Sequence, residues 1–340
     1  MDPITILTAD IGGTTTRIRI YTGEVQQWQY QQEFASALYP SLEKILAQVF
    51  QEQNISRISY ACIAVAGPVE QGQTARITNL PWIIAKKNLA QLGIFQQIHL
   101  LNDFEALGYA LEHFQAQDLL CLQQGRKDLG GSQVVLGAGT GLGEAGIKKI
   151  NHLKSVYPSE GGHCHFAPEN LRQWELWRFL SPNYSRISRE RILSGQGIIH
   201  LAEFLCQQHP VWEPDLAQLR QQNPMDLAAL IAQQAREGHS LAQASMALFM
   251  EIYGQVAGDV ALSHLPYGGI YIAGGIAAKN LNLFQEPEFM RGFLNKGRMA
   301  DLVAQFPLYV IQSPHGGLLG AYHYALMQLQ TKKNNALAKQ

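Results

Sequence analysis

The chain has 340 residues, 46% of them hydrophobic and 16% charged, with a formal net charge of −1 at pH 7. That length accommodates two domains with substantial cores, and the near-neutral balance argues against a basic nucleic-acid face. No apolar run approaches the roughly 20 residues that span a bilayer, so no membrane partner is expected.

In chain order, the start Met1-Asp2-Pro3 lacks the basic-then-apolar pattern of a signal peptide. Ile4 to Leu7 and Ile18 to Tyr21 read as strands, and Leu42 to Phe50 has helical spacing. Ile58 to Val65 is a β-rich run stopped by Ala66-Gly67-Pro68, and Ala85 to Leu92 is again helical. Ile98 to Leu101 is a strand that hands over to a helix from Phe104 to His113. Strands followed by a crossover helix and further strands fit a mixed sheet with helical cover. The polar stretch Gln115 to Gly131 reads as a boundary. Strands at Val134 to Leu136 and around Gly146 to Ile150 follow it, and the region from Trp174 to Leu265 is mainly helical, with Ser240 to His264 its longest segment. Gly269 to Ala273 and Leu308 to Ile311 are strands, Gly320 to Leu329 is a helix, and Thr331 to Gln340 is a polar tail expected to be disordered. The hairpin, βαβ and helix pattern thus runs once in each half. The four cysteines, Cys62, Cys121, Cys164 and Cys206, are scattered without a CxxC pair, as reduced thiols of a cytoplasmic protein would be.

Two glycine-and-hydroxyl turns stand out from this background. The first is Asp10-Ile11-Gly12-Gly13-Thr14-Thr15-Thr16-Arg17, and the second is Gly137-Ala138-Gly139-Thr140-Gly141-Leu142-Gly143. Glycine lets backbone N–H groups converge, and threonine adds a hydroxyl donor. One such turn is weak evidence; two, with an Asp opening the first, suggest jaws closing on a polyphosphate from two domains. Leu101-Asn102-Asp103 lies where a strand meets a helix, so Asn102 or Asp103 reads as an N-cap. The same position, the carboxyl end of a strand in an α/β sheet, is also where ligands bind. Glu160 and His163, in Glu160-Gly161-Gly162-His163-Cys164-His165-Phe166, suit adjacent hydroxyls of a small polar ligand. His163 and His165 would share one face of a strand, as metal ligands do, but no second pair of Cys or His completes a tetrahedral set. Glu190-Arg191-Ile192-Leu193-Ser194-Gly195, taken alone, reads as a solvated helix start, and Gly274-Gly275 as an ordinary strand-to-helix turn.

Taken in order, these segments resemble the bacterial glucokinase family, within the superfamily that shares its fold with actin, Hsp70 and hexokinase. Asp10 to Thr14 and Gly137 to Gly143 are similar to the family's two phosphate motifs, and Leu101 to Phe104 to its catalytic motif. Glu160 to His163 with Phe166-Ala167-Pro168 resembles the sugar motif, Glu190 to Gly195 the next block, and Ile272 to Ile276 the adenosine motif. The resemblance covers residues 4 to 328, with Thr15 and His165 standing where many members have Asn and Asp.

What the resemblance implies is an α/β, two-domain actin-like ATPase (ribonuclease H-like) fold with a cleft between the domains. Residues 1–113 plus 315–330 would form a small domain and 114–314 a large one. The implied activity is phosphoryl transfer from ATP to the 6-hydroxyl of glucose, with Asp103 as general base and Asn79, Asn102, Asp103, Glu160, His163 and Glu190 on the sugar. Gly12, Gly13, Thr14, Thr15, Gly137, Gly139, Thr140, Gly141, Gly274 and Gly275 would hold the nucleotide, and Asp10 would hold Mg²⁺, directly or through water. The partners would be glucose and ATP, and the assembly a homodimer. The alternative is a sugar-sensing regulator of the same fold that has lost its chemistry; retention of Asp103 and of both turns weighs against it.

Overall fold

Seven consecutive residues, Thr5–Ile11 (β1), are apolar at Ile6, Leu7, Ala9 and Ile11, all fully buried, which is the pattern of a central strand. The structure, a computed structural model, describes residues 3–23, 27–77, 80–150, 153–223 and 226–337. It divides into two units, one taking the residues up to Phe114 and those from Pro314 onward, the other Gln115–Ser313.

In the first unit, β1 turns through the glycine motif into Thr15–Thr22 (β2), which pairs antiparallel with Trp28–Ala35 (β3). The crossover helix Leu42–Glu52 (α1) buries Leu42, Ile45, Leu46, Val49 and Phe50 on one face and returns the chain to Tyr60–Val65 (β4), parallel to β1. A small sheet, Val69–Glu70 (β5), Thr74–Arg76 (β6) and Ile83–Ala85 (β7), precedes the short helix Lys86–Ala90 (α2) and the parallel strand Ile98–Asn102 (β8). The main sheet therefore runs β3-β2-β1-β4-β8. Asp103–Ala110 (α3) follows β8 and packs against the C-terminal helix, Gly316–Leu337. A Cβ on Gly320 would stand 1.7 Å from the Ala106 carbonyl oxygen, so glycine sets how closely these two helices approach.

In the second unit, the stretch read as a boundary contains Leu119–Gln123 (β9), an edge strand antiparallel to a later one. Gln133–Ala138 (β10), Leu142–Ile150 (β11) and Leu153–Ser159 (β12) form an antiparallel meander. Helices Leu171–Leu180 (α4), Gly195–Gln208 (α5), Glu213–Gln222 (α6), Leu227–Arg236 (α7) and Ser240–His264 (α8) come next. Gly269–Ala273 (β13) lies parallel to β10 and is followed by Gly275–Lys279 (α9), Pro287–Leu294 (α10) and Ala300–Val303 (α11). Leu308–Ile311 (β14) is parallel to β13, giving the order β12-β11-β10-β13-β14-β9. Most of α8 is buried, which accounts for its lack of a polar stripe.

The two sheets repeat one plan: an antiparallel three-stranded meander whose first strand continues into two parallel strands. The expected duplication of the halves is thus present in the topology. The last helix departs from expectation. It runs on as α12 to Leu337, through residues 331–337 that the sequence marks as a disordered tail. Residues 331–337 carry no Gly or Pro, and extending an existing helix avoids the cost of nucleating one. No helix of the described residues is long and apolar enough to cross a membrane.

Candidate active site

The first unit contributes an acidic end to its sheet. The β1–β2 turn is closed by the Gly12 N–H donating to the Thr15 carbonyl at 2.9 Å, so Thr15 acts here through its backbone. Ser36 braces the turn: its N–H donates to the Thr14 carbonyl at 2.9 Å, and its Oγ donates to the Gly12 carbonyl at 3.1 Å. Gly13 and Thr15 are half-buried, while Thr14 is exposed at the tip. Asp10, at the end of β1, faces Arg17 Nη1 at 3.9 Å, and Arg17 is itself tied to Glu33 at 2.8 Å. Burial raises the Asp10 pKa despite the nearby guanidinium, with the Glu33 charge adding to the rise.

At the end of β8, the open question of which residue caps α3 is resolved in favour of Asn102. Its Oδ1 accepts from the N–H groups of Phe104 at 3.0 Å and Glu105 at 3.4 Å, and Glu105 reaches back to the Asn102 N–H, completing a capping box. Asn102 Nδ2 donates to the Gly67 carbonyl at 3.1 Å. Gly67 is confined to glycine by its surroundings, since a Cβ there would lie 2.0 Å from the Arg76 carbonyl oxygen. Asp103 is therefore not the N-cap, and its Oδ1 shares the Phe104 N–H at 3.0 Å. Its carboxyl is pushed up to about 7, first by burial and then by the neighbouring Asp10 charge, against hydrogen bonds that pull the other way. A buried acid raised by a neighbouring acid marks a place where positive charge or a proton is accommodated.

The second unit contributes the second turn and a loop of polar groups. The Gly139 N–H donates to the Gly141 carbonyl at 2.8 Å, and the Gly195 N–H, at the start of α5, donates to the Gly139 carbonyl at 2.9 Å. Thr140 is exposed at this tip as Thr14 is at the other, while Gly137 lies buried within β10 opposite Gly143. Gly274 adopts φ +91°, and a Cβ on it would lie 2.3 Å from the Ala138 carbonyl oxygen, so the β13–α9 turn sits directly on the strand that carries this motif. Gly275 is exposed with open space beside it. A cavity of about 640 Å³ is lined by Thr140, Gly195, Gln196, Ile199, Asp226 and Leu227 among others.

Glu160, His163 and Glu190 come together in the same unit. His163 Nε2 is 3.7 Å from Glu160 Oε2, and its Nδ1 is 4.0 Å from Glu190 Oε1. Glu190 Oε2 accepts from the Leu142 N–H at 2.9 Å, which ties this group to the end of the second turn. Glu160 and His163 remain largely exposed, so their polar atoms are available to a ligand. The two histidines do not share a strand face as expected, because His163 ends the short turn Gly161–His163, and His165 Nε2 accepts from Arg186 Nε at 3.1 Å. Among the described residues no group of three or more His, Cys, Asp or Glu side chains is arranged to hold a metal ion. Asn79 lies outside the described residues.

Sequence reasoning gave no role to three residues. Gly317, at the start of α12, lies so close that a Cβ would stand 2.8 Å from the Asp10 carboxyl carbon; its pairing with Gly316 after a strand mirrors Gly274-Gly275 and was the available signal. Gly195 closes the second turn from a distance in sequence that no local pattern reveals. Glu144 is 5% exposed on β11, and its burial is visible only once β11 pairs with its neighbours.

A family model described as Glucokinase matches residues 7–328. The chain is 40% identical to the glucokinase of Nostoc punctiforme over 333 residues, covering 93% of this chain and 97% of that protein. It is 38% identical to the glucokinase of a Synechocystis species over 346 residues, covering 94% and 97%. Among solved structures it is similar to a glucokinase from an Antarctic psychrotroph, with TM-score 0.78, 29% identity, and coverage of 94% of this chain and 98% of that one. A glucokinase from Balamuthia mandrillaris in complex with glucose has TM-score 0.80 at 20% identity, covering 95% and 94%, a likeness of fold. The fold is the two-domain actin-like ATPase fold of the sugar kinases.

Proposed function

The chain belongs to the glucokinase family, and we propose that it transfers the γ-phosphoryl group of ATP to the 6-hydroxyl of glucose with Asp103 as general base. The observation that carries this assignment is a partly buried carboxyl just after the end of a parallel strand, beside the N-cap Asn102 and raised to about 7. Such a group is matched to accepting a proton near neutral pH. As the sugar oxygen attacks phosphorus, the bond from phosphorus to the β-bridging oxygen breaks, the hydroxyl proton passes to Asp103, and ADP leaves. Little covalent work falls to the protein, so positioning and charge stabilisation carry the rate.

Asn102, Asp103, Glu160, His163 and Glu190 would hold the sugar hydroxyls. Their carboxylates accept, while the imidazole of His163 and the side-chain amide of Asn102 would donate. Asn79 is an additional contact in this proposal. The turns at Gly12, Gly13, Thr14 and Thr15 and at Gly139, Thr140 and Gly141 would present N–H and hydroxyl groups to the phosphates, with Gly137 fixing the strand beneath. Gly274 and Gly275 would border the adenosine, and the cavity beside Thr140 has the size of a nucleoside site. The carboxyl of Asp10, beside a second acid, is a hard oxygen donor suited to Mg²⁺, directly or through water. When bound, the ion would neutralise charge on the phosphates. A cytoplasmic setting and a homodimer accompany this proposal on the strength of family membership.

The test of regiochemistry is nuclear magnetic resonance of the product formed from glucose and ATP. Phosphorylation at C6 is expected, and a 1-phosphate would overturn the assignment.

A further inference from the structure

Beneath the loop that carries Glu160 and His163 lies a chain of polar groups running inward from the sheet surface. Glu144 on β11 stands directly opposite Ser159 on β12, so their side chains share one face. Ser159 Oγ donates to Glu144 Oε1 at 3.3 Å and accepts from the Gly161 N–H at 3.0 Å. His264, the last residue of α8, places its Nε2 3.2 Å from the same Glu144 oxygen, and its Nδ1 lies 3.3 Å from the Tyr157 hydroxyl. Because a carboxylate only accepts, Nε2 donates to Glu144, and Nδ1 shares a hydrogen bond with the Tyr157 hydroxyl. The Tyr157 and His264 rings stack with centroids 6.2 Å apart.

The glycines of the loop record how tightly it is seated on these groups. A Cβ on Gly161 would lie 2.2 Å from Glu144 Oε2, and one on Gly162 would lie 2.0 Å from the Leu142 carbonyl oxygen. The Glu144 side chain is 6% exposed and that of His264 15%, whereas Glu160 is 79% exposed. A buried carboxylate is costly unless its oxygens are engaged, and here one of them receives both donors. The three-residue turn at Gly161–His163 is too short to set its own orientation, so its backbone follows what it rests on.

We infer that Glu144 and His264 form a positioning pair that, through Ser159 and the Gly161 N–H, sets the loop presenting Glu160 and His163 to glucose. The inference rests on the proposed sugar-binding role of those two residues. Neither Glu144 nor His264 touches the sugar in this account. Loss of the pair therefore weakens glucose binding while leaving nucleotide binding intact.

The test compares Glu144→Ala, Glu144→Gln and Glu160→Gln by steady-state kinetics and by calorimetric titration with glucose. Glu144→Ala removes the acceptor for His264 and Ser159 and should raise the glucose KM and Kd about tenfold. KM for ATP and kcat should each change by less than about threefold, because the interaction acts on ground-state sugar binding. Glu144→Gln keeps an acceptor oxygen at the Oε1 position and should restore the glucose constants to within about threefold of the parent. A general packing role would instead lower kcat and raise both KM values together, which overturns the inference. So would unchanged glucose constants in folded Glu144→Ala. If Glu144→Ala does not fold, Ser159→Ala decides: it removes the Gly161 link while leaving Glu144 and His264 paired, and an unchanged glucose Kd overturns the inference. Glu160→Gln isolates the underlying reading, since unchanged glucose binding in that variant contradicts the sugar-site assignment whatever Glu144 does.

Discussion

Asp103 concentrates the account at the scale of one residue. Its pKa lies above the ordinary 3.8, so the folded protein binds that proton more tightly than the unfolded chain does. The stability this gives is full below a pH of about 4 and is lost as pH rises through about 7. Asp103→Asn removes the charge and, with Asn102 as the cap, leaves the start of α3 intact. The ligand-free variant should therefore melt at or above the parent temperature at pH 8 and match it at pH 4, while turnover falls by roughly 10²-fold or more. A lower melting temperature at pH 8 would show that the carboxylate is not under strain. In the parent enzyme, kcat/KM for glucose should fall as pH drops below about 7, because the protonated acid cannot take up another proton. A profile flat from pH 5.5 to 8 would remove Asp103 from the role of base.

At the scale of elements, glycine positions determine where backbones meet. Gly274 combines φ +91° with a Cβ position 2.3 Å from the Ala138 carbonyl oxygen. Gly274→Ala should cost roughly 1–3 kcal/mol of stability from the dihedral alone, and more from the clash. Chemical denaturation checks this, and a loss below about 0.5 kcal/mol would mean that β13 and β10 part easily there. The sequence made this element legible because a Gly-Gly pair follows a continuous apolar strand. The strands at Trp28–Ala35 and Leu119–Gln123 were less legible. The first is rich in Gln and mostly exposed, so it lacks the alternation that marks a half-buried strand. The second sits in a polar stretch and gains strand character only by pairing with β14. Glu160, His163 and Glu190 could be named from motif order, but the groups supporting them could not. Glu144, Ser159 and His264 meet through pairing of β11 with β12 and through the end of α8, contacts that span up to 120 residues of chain.

At the scale of the whole molecule, one sheet plan occurs twice, and each copy carries a glycine-and-threonine turn between its first two strands. The first copy adds two acids and the second adds the Glu160, His163 and Glu190 group. Phosphoryl transfer from ATP needs a cation to balance the phosphate charge, so excess EDTA should abolish activity and added Mg²⁺ should restore it. Full activity in EDTA would contradict the role given to Asp10. The central claim is that ATP is consumed to phosphorylate glucose, and its most direct test is ADP release measured with and without the sugar. The account predicts that release is very slow until glucose is added, then matches glucose 6-phosphate formation one for one, and falls by roughly 10²-fold or more in Asp103→Asn. ADP release equally fast without glucose, or undiminished in the folded Asp103→Asn variant, would contradict it.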